Sequence, residues 1–222
     1  MPGMTFHFVF ADEVYRKIKI KLDKVEFFSG NIIPDLVTPE NKEYTHYRIT
    51  SPVDGHMFPD LAKAKSELFD KDNSIKLGMY SHLYLDYHFI EDFLYKEFIF
   101  DVKNGKVINP RTNTTWDLRQ FFGKCTEGGI LYEGYTQINN LLIKDGYINT
   151  NDLSNIPNNL PLTGIPVFDN RYEMTWREEL NGYLSRKIPY NGKIFEYERL
   201  TSAIYNIADQ FISDVEKMLV KK

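Results

Sequence analysis

Two side chains near the middle of this sequence are spaced to act together. They are His82 and Asp86, in the stretch Gly78-Met79-Tyr80-Ser81-His82-Leu83-Tyr84-Leu85-Asp86-Tyr87-His88. Tyr80, Leu83, Tyr84, Tyr87, Ile90 and Leu94 recur at spacings of three and four, which predicts a helix with a broad buried face. Four residues on a helix advance about 400° and rise about 6 Å, so His82 and Asp86 leave the same face as neighbours. A carboxylate on a buried face is costly unless it is paired or holds a metal. Imidazole and carboxylate at this spacing make half a site for zinc or a similar divalent ion. The plainer alternative is a hydrogen-bonded pair or a partly solvated face.

Other residues could complete such a site. His7 falls in the first turn of an apolar helix, as a core histidine bonded to a carbonyl or as a metal ligand. Asp35 follows Pro34, which forces a bend; it is either a turn or cap residue or a stiffly held carboxylate ligand. His46 sits between Tyr44 and Tyr47 in a segment, 37–60, that reads as a long loop. Lys42 and Arg48 in that segment are either solvated charges or groups that steady a phosphate. His56, after Asp54-Gly55, reads as a surface turn residue. His88 lies about 200° around the helix from Asp86, so a straight helix points it elsewhere; it could join the site if the helix bends, or serve behind the ligands. Nitrogen and oxygen donors without thiolate suit a hydrolytic ion, zinc first, with manganese or iron as alternatives.

The elements that must position these groups are mostly helical. Helical spacing runs from about residue 5 to 22, where Thr5 could cap, and over 59–71 behind a proline. The central helix is capped at Asn73-Ser74 and runs to about Phe100. Residues 102–116 read as a turn-rich insertion or small hairpin. A helical stretch over about 115–145 breaks at Cys125-Thr126-Glu127-Gly128-Gly129. Residues 146–168 are irregular; helices follow at about 169–186 and 196–220. The fold class is all-α: one multi-helix domain over 1–222, with a metal-site half (1–101) and a divergent half (102–222).

Composition limits the function classes. The chain has 222 residues, enough for a sizeable core. Aromatic residues make up 15%, which can build helix contacts from rings. A net charge of −4 implies no general attraction to nucleic acid or anionic membrane. The one cysteine, Cys125, cannot form an internal disulfide, which suggests a reducing compartment. No signal peptide and no membrane span is apparent, so the expected location is the cytoplasm.

Four pieces in order resemble the zinc-dependent phospholipase C family, whose relatives include zinc-dependent single-strand nucleases. They are the early histidine in Thr5-Phe6-His7-Phe8-Val9-Phe10, the turn Gly30-Asn31-Ile32-Ile33-Pro34-Asp35, the segment Lys42 through His46-Tyr47, and the helix Gly78 through Asp86. The resemblance covers about the first 100 residues. It implies that Asp35, His46, His82 and Asp86 hold one metal, and that Asp86 bridges to a second metal that also takes His7. It also implies hydrolysis of a small phosphoester, phosphodiester or phospholipid-like substrate, with Asp35 able to act as general base. The chain departs from the family after His88, its last histidine. A further site could be built there only from carboxylates such as Glu91 or Asp92. Met1 is not placed to be the processed N-terminal ligand of secreted members. The competing class is a non-enzymatic helical binding or scaffold protein with a vestigial metal site.

Overall fold

The computed structural model describes residues 3–51, 55–123, 128–148, 153–171 and 176–220. Cys125 and Met1 lie outside them. The chain is mostly helical, with two small antiparallel sheets among the described residues. Helix α1 spans Met4–Lys17 and α2 spans Lys24–Ile32, capped by Asp23, whose side chain accepts from the Glu26 amide. A 3₁₀ turn, Ile33–Leu36, carries Pro34 near its start. Helix α3 is Pro39–Thr45 and α4 is Leu61–Leu68. The central helix α5, Ser74–His88, is capped by the Asn73 side chain. It continues as a π-helical segment, Phe89–Leu94, and a last turn, Tyr95–Glu97.

The arrangement turns on one contact. Helices α2 and α5 cross where Gly30 meets Gly78. A Cβ on Gly30 would lie 2.1 Å from the Ile75 carbonyl oxygen, and one on Gly78 would lie 2.2 Å from that of Phe27. Only residues without a side chain allow this approach. It buries the apolar face of α5, including Leu77, Met79, Leu83 and Leu85. It also brings the end of α2, and the turn behind it, beside the middle of α5.

The second half of the chain closes over this pair. Helix α6 is a single turn, Leu118–Phe121; α7 is Ile130–Lys144, α8 is Trp176–Ser185 and α9 is Tyr197–Val220. Helix α9 lays Phe211 against Phe10, Tyr80 and Tyr84, and the Tyr84 hydroxyl donates to Asp214 at 2.9 Å. Tyr135 of α7 packs edge-on against Phe6, and Trp176 of α8 against Phe8. The buried apolar side chains of both halves form one cluster. No described helix is long and apolar enough to cross a membrane.

Several sequence expectations change in detail. Helix α1 starts at Met4 with Gly3 as its cap, and it ends at Lys17 rather than about 22. Thr5 is not the cap; it lies inside the helix and hydrogen-bonds Asn139. The segment 37–60 is not one long loop. Pro39 starts α3, and strands β1 (Arg48–Thr50) and β2 (Met57–Pro59) pair antiparallel. The insertion after α5 is a three-stranded sheet of β3 (Ile99–Asp101), β4 (Lys106–Asn109) and β5 (Thr114–Asp117), not a single hairpin. Its turns use Gly105 and Asn113 at positive φ, and Val107 is buried at its centre. Such short strands leave too little alternation to read.

The glycine crossing makes a stability prediction. Alanine normally stabilises a helix relative to glycine by about 0.5–1 kcal/mol. That is the expected gain for Gly182→Ala, where a Cβ meets nothing within 4 Å. Gly30→Ala and Gly78→Ala must instead push backbone from backbone and lose about 2–3 kcal/mol or more. Thermal denaturation of the three variants checks this: melting points should fall by several degrees for the first pair and hold or rise for Gly182→Ala.

Candidate metal centre

The five histidine and aspartate residues expected from the sequence come together. His82 and Asp86 leave α5 one turn apart, 1% and 0% exposed. Asp35 stands on the 3₁₀ turn that Pro34 stiffens, and its side chain stays partly exposed. His46 is the residue that ends α3. The next residue, Tyr47, has φ 46°, a left-handed conformation that is uncommon away from glycine. Its hydroxyl donates to Glu67 at 2.9 Å, which helps to hold that turn. His7 enters from the first turn of α1, and its ring lies flat on that of His82, centroids 3.8 Å apart.

Asp86 is the hub. Its Oδ1 lies 3.3 Å from His7 Nε2, and its Oδ2 lies 3.5 Å from His82 Nε2 and 3.7 Å from His46 Nε2. His46 Nε2 is also 3.5 Å from Asp35 Oδ1. Two triads have donor atoms that all lie within 4.8 Å of one another: His7, Asp35 and His82; His46, His82 and Asp86.

The outer ring nitrogens fix the orientation. His82 Nδ1 is 2.8 Å from the Asn31 carbonyl oxygen, and His46 Nδ1 is 3.1 Å from that of Lys42. A carbonyl can only accept, so each Nδ1 carries the proton and each Nε2 presents its lone pair to the centre. Asn31 is held in turn, its Nδ2 donating to Ser81 Oγ at 2.5 Å.

These donors fit a metal ion. His7 Nδ1 and Nε2, His46 Nε2, His82 Nε2 and both Asp86 oxygens are buried without a hydrogen-bond partner. Leaving one such atom unsatisfied costs about 1–3 kcal/mol, more for a charged group. The pairs above fall within ion-pair distance, yet they are too long or misaligned for hydrogen bonds. Ligands on a tetrahedral zinc at about 2.0–2.2 Å sit about 3.3–3.6 Å apart, which is close to the spacing seen here.

The protonation states agree. Burial holds the pKa of His7 and His46 below the ordinary value, favouring the neutral, ligating form. At His82 burial opposes the charge, but Asp86 outweighs it and raises the pKa. For Asp86 itself burial is overcome by the imidazoles of His82 and His7, which keep it ionised. Burial is likewise overcome at Asp35, by Lys42 and by the imidazoles of His46 and His82, so its pKa lies well below the carboxylate range.

Of the two expected phosphate-binding cations, Lys42 reaches the centre: its Nζ lies 3.4 Å from Asp35 Oδ1. Arg48 lines a neighbouring groove of about 510 Å³ with Tyr44, Tyr47 and Ile165. His88 turns away, its Nδ1 2.5 Å from Asp92 Oδ2 and its ring against Tyr84. His56 is no free surface residue. It stacks on Phe122 at 3.9 Å, and burial pushes its pKa down to about 3.

Sequence reasoning missed four residues. Asn31 acts through its backbone carbonyl, which no side-chain pattern signals. Tyr135 on α7 reads as a member of an apolar set, and nothing in the sequence singles out Tyr132. Glu179 on α8 carries no signal in the sequence; burial and the nearby Asp35 lift its pKa to about 7, against the opposing pull of Lys42.

Comparison with curated proteins and with solved structures finds no match. A family comparison does find one, and together with the clustered imidazoles and carboxylates it supports zinc as the metal. Residues 6–89, which carry all five candidate ligands, match the family described as zinc dependent phospholipase C.

Proposed function

We propose that this protein is a metal-dependent phosphoester hydrolase, that its substrates include phosphodiesters, and that His7, Asp35, His46, His82 and Asp86 hold its zinc. The observation that carries this is the set of buried donors, the Nε2 atoms of His7, His46 and His82 and both Asp86 oxygens, that have no hydrogen-bond partner among the described residues and face one another at 3.3–3.7 Å. The family match over 6–89 supports the same reading.

Zinc in such a donor set lowers the pKa of a bound water and neutralises charge on a phosphoryl oxygen. The chain's own residues do the rest. Asp86 has no access to solvent, and its two oxygens can serve different donor groups at once. The Nδ1 bonds of His46 and His82 fix which lone pairs face inward. Asp35 is ionised and open to the surface, so it can take a proton from the attacking water at a carboxylate oxygen. Lys42 can meet an incoming phosphate anion. Burial works against its charge, but Asp35 and Glu179 outweigh that and raise its pKa, so it stays protonated.

Metal analysis of the purified protein tests the reading. Stoichiometric zinc is expected, with hydrolysis of a model phosphodiester that a chelator abolishes. Asp86→Ala should lose both zinc and activity; zinc content unchanged in that variant would discard the reading. Chelation should also lower the melting temperature, because a ligand bound only to the folded state stabilises it by mass action.

A second expectation concerns pH. The proton on His82 competes with the metal, and its pKa in the metal-free protein lies above the usual 6.5. Zinc affinity should therefore rise with pH through and beyond that value, and level off only once His82 is neutral. Competition titration with a chromophoric chelator from pH 5.5 to 8.5 measures it; an affinity independent of pH would count against His82 as a ligand.

A third concerns Lys42. Lys42→Gln should keep its zinc and lower kcat/KM about 10–100-fold, the loss of one charge-assisted contact. Kinetics at matched zinc content decide it.

A further inference from the structure

The segment that matches the family stops at residue 89, yet the centre is not walled by that segment alone. Helix α7 crosses the N-terminal turn of α1 and presents Tyr132 and Tyr135, three residues apart, on one face. Tyr135 is 3% exposed. Its ring sits among Phe6, Phe89 and Phe195, stacked on Phe195 at 5.7 Å. A phenylalanine would fill that place equally well. The hydroxyl it carries is buried and has no partner among the described residues.

A buried hydroxyl left without a hydrogen bond destabilises the fold. Tyr135 keeps one beside the metal centre: besides burial, the nearby Tyr132 and the Asp86 carboxylate act to keep the phenol protonated. Tyr132 lies against it, rings 5.9 Å apart and edge-on. Tyr132 is less deeply buried and stands among the charges at the mouth of the site. Burial and the carboxylates of Asp35 and Asp86 raise its pKa, while Lys42 and Arg48 pull it down. Through Phe6, beside His7, and Phe89, one turn beyond Asp86, the two phenols pack next to the centre, and the Tyr135 hydroxyl has no partner among the described residues.

We infer that the hydroxyls of Tyr132 and Tyr135 form the oxyanion-binding wall of the site, donating hydrogen bonds to the phosphoryl oxygens of a bound phosphate or phosphoester. The inference deepens the phosphoester reading and rests on it for the identity of the ligand. Tyr132 contacts an oxygen at the mouth, on the same side as Lys42. Tyr135 contacts the oxygen lodged deepest. The C-terminal half, which has no histidine to offer, thus supplies hydrogen bonds instead of further metal ligands.

The test titrates inorganic phosphate into the intact protein of measured zinc content, by calorimetry, for the wild type, Tyr132→Phe, Tyr135→Phe and the remote control Tyr205→Phe. Loss of one hydrogen bond to a charged oxygen should weaken phosphate binding about tenfold or more in each of the first two. The control should match the wild type. Zinc content should not change. Tyr135→Phe should melt at the same temperature or higher, because it removes a buried polar group that lacks a partner. A Tyr135→Phe protein that melts lower and binds phosphate normally assigns the hydroxyl to the fold and overturns the inference. So does a wild type that binds no phosphate, or both variants binding within twofold of it. Phosphate binding that depends on the two hydroxyls, in a protein that hydrolyses no phosphoester, would sink the hydrolase reading and leave the oxyanion wall standing.

Discussion

The near-contact of two backbones, at Gly30 on α2 and Gly78 on α5, is the constraint on which the site depends. It sets how far α2 stands from α5, and so where the Asn31 carbonyl lies relative to His82 Nδ1, 2.8 Å away. It also sets where the chain leaves α2 into the Pro34 turn that carries Asp35. Metal–ligand distances must hold within about 0.2 Å. A helix pair separated by ordinary side chains would stand roughly 8–10 Å apart with some freedom to slide. Backbone against backbone removes that freedom, and the ligands inherit the precision.

The second constraint is electrostatic. Asp86 is a carboxylate with no exposed surface on an otherwise apolar helix. Burying such a charge is expensive; the imidazoles of His82 and His7 offset it without a metal, but once they are neutral to ligate that charge is no longer available. A divalent cation does, and the apolar walls strengthen that attraction because they keep water away. The centre is closed on the Asp86 side and open on the other, where Asp35 and Lys42 keep partial exposure. A substrate must arrive from there, and the cation beside the opening suits an anionic one. No nucleic-acid-sized basic surface is needed to explain it, which agrees with a chain whose net charge is −4.

What the sequence revealed follows from which rules are local. The pairing of His82 with Asp86 was legible because four residues on a helix always return to one face. Asp35 was legible because proline fixes the bend before it. His7 and His46 each allowed a structural reading as well as a ligand reading, and the family resemblance favoured the second. The rest depended on tertiary contacts. Asn31 contributes a carbonyl, Glu179 only a charge made unusual by burial, and Tyr135 a hydroxyl hidden in an aromatic cluster. The π-helical segment Phe89–Leu94 escaped because apolar spacings of three and four fit an α-helix equally well. His56 was misjudged because its stacking partner, Phe122, is 66 residues away in sequence.

The five donors are not held by the same part of the chain, and this divides the site in two. Asp35, His46, His82 and Asp86 are fixed by α2, α3, α5 and the turns between them, all within residues 6–89. His7 is different. Its helix turn packs on the first half through Phe6 on Phe89 and His7 on His82, but it is also anchored to the second half, by Thr5 to Asn139, by Phe6 to Tyr135 and by Phe8 to Trp176. That half contains no histidine, yet it helps to hold the turn that presents the fifth donor to Asp86. The four-residue set can form wherever α2 and α5 cross. A site that also uses His7 draws on α7 and α8 as well. Residues 102–222 therefore bear on the proposed metal centre through packing, although none of the five donors lies among them.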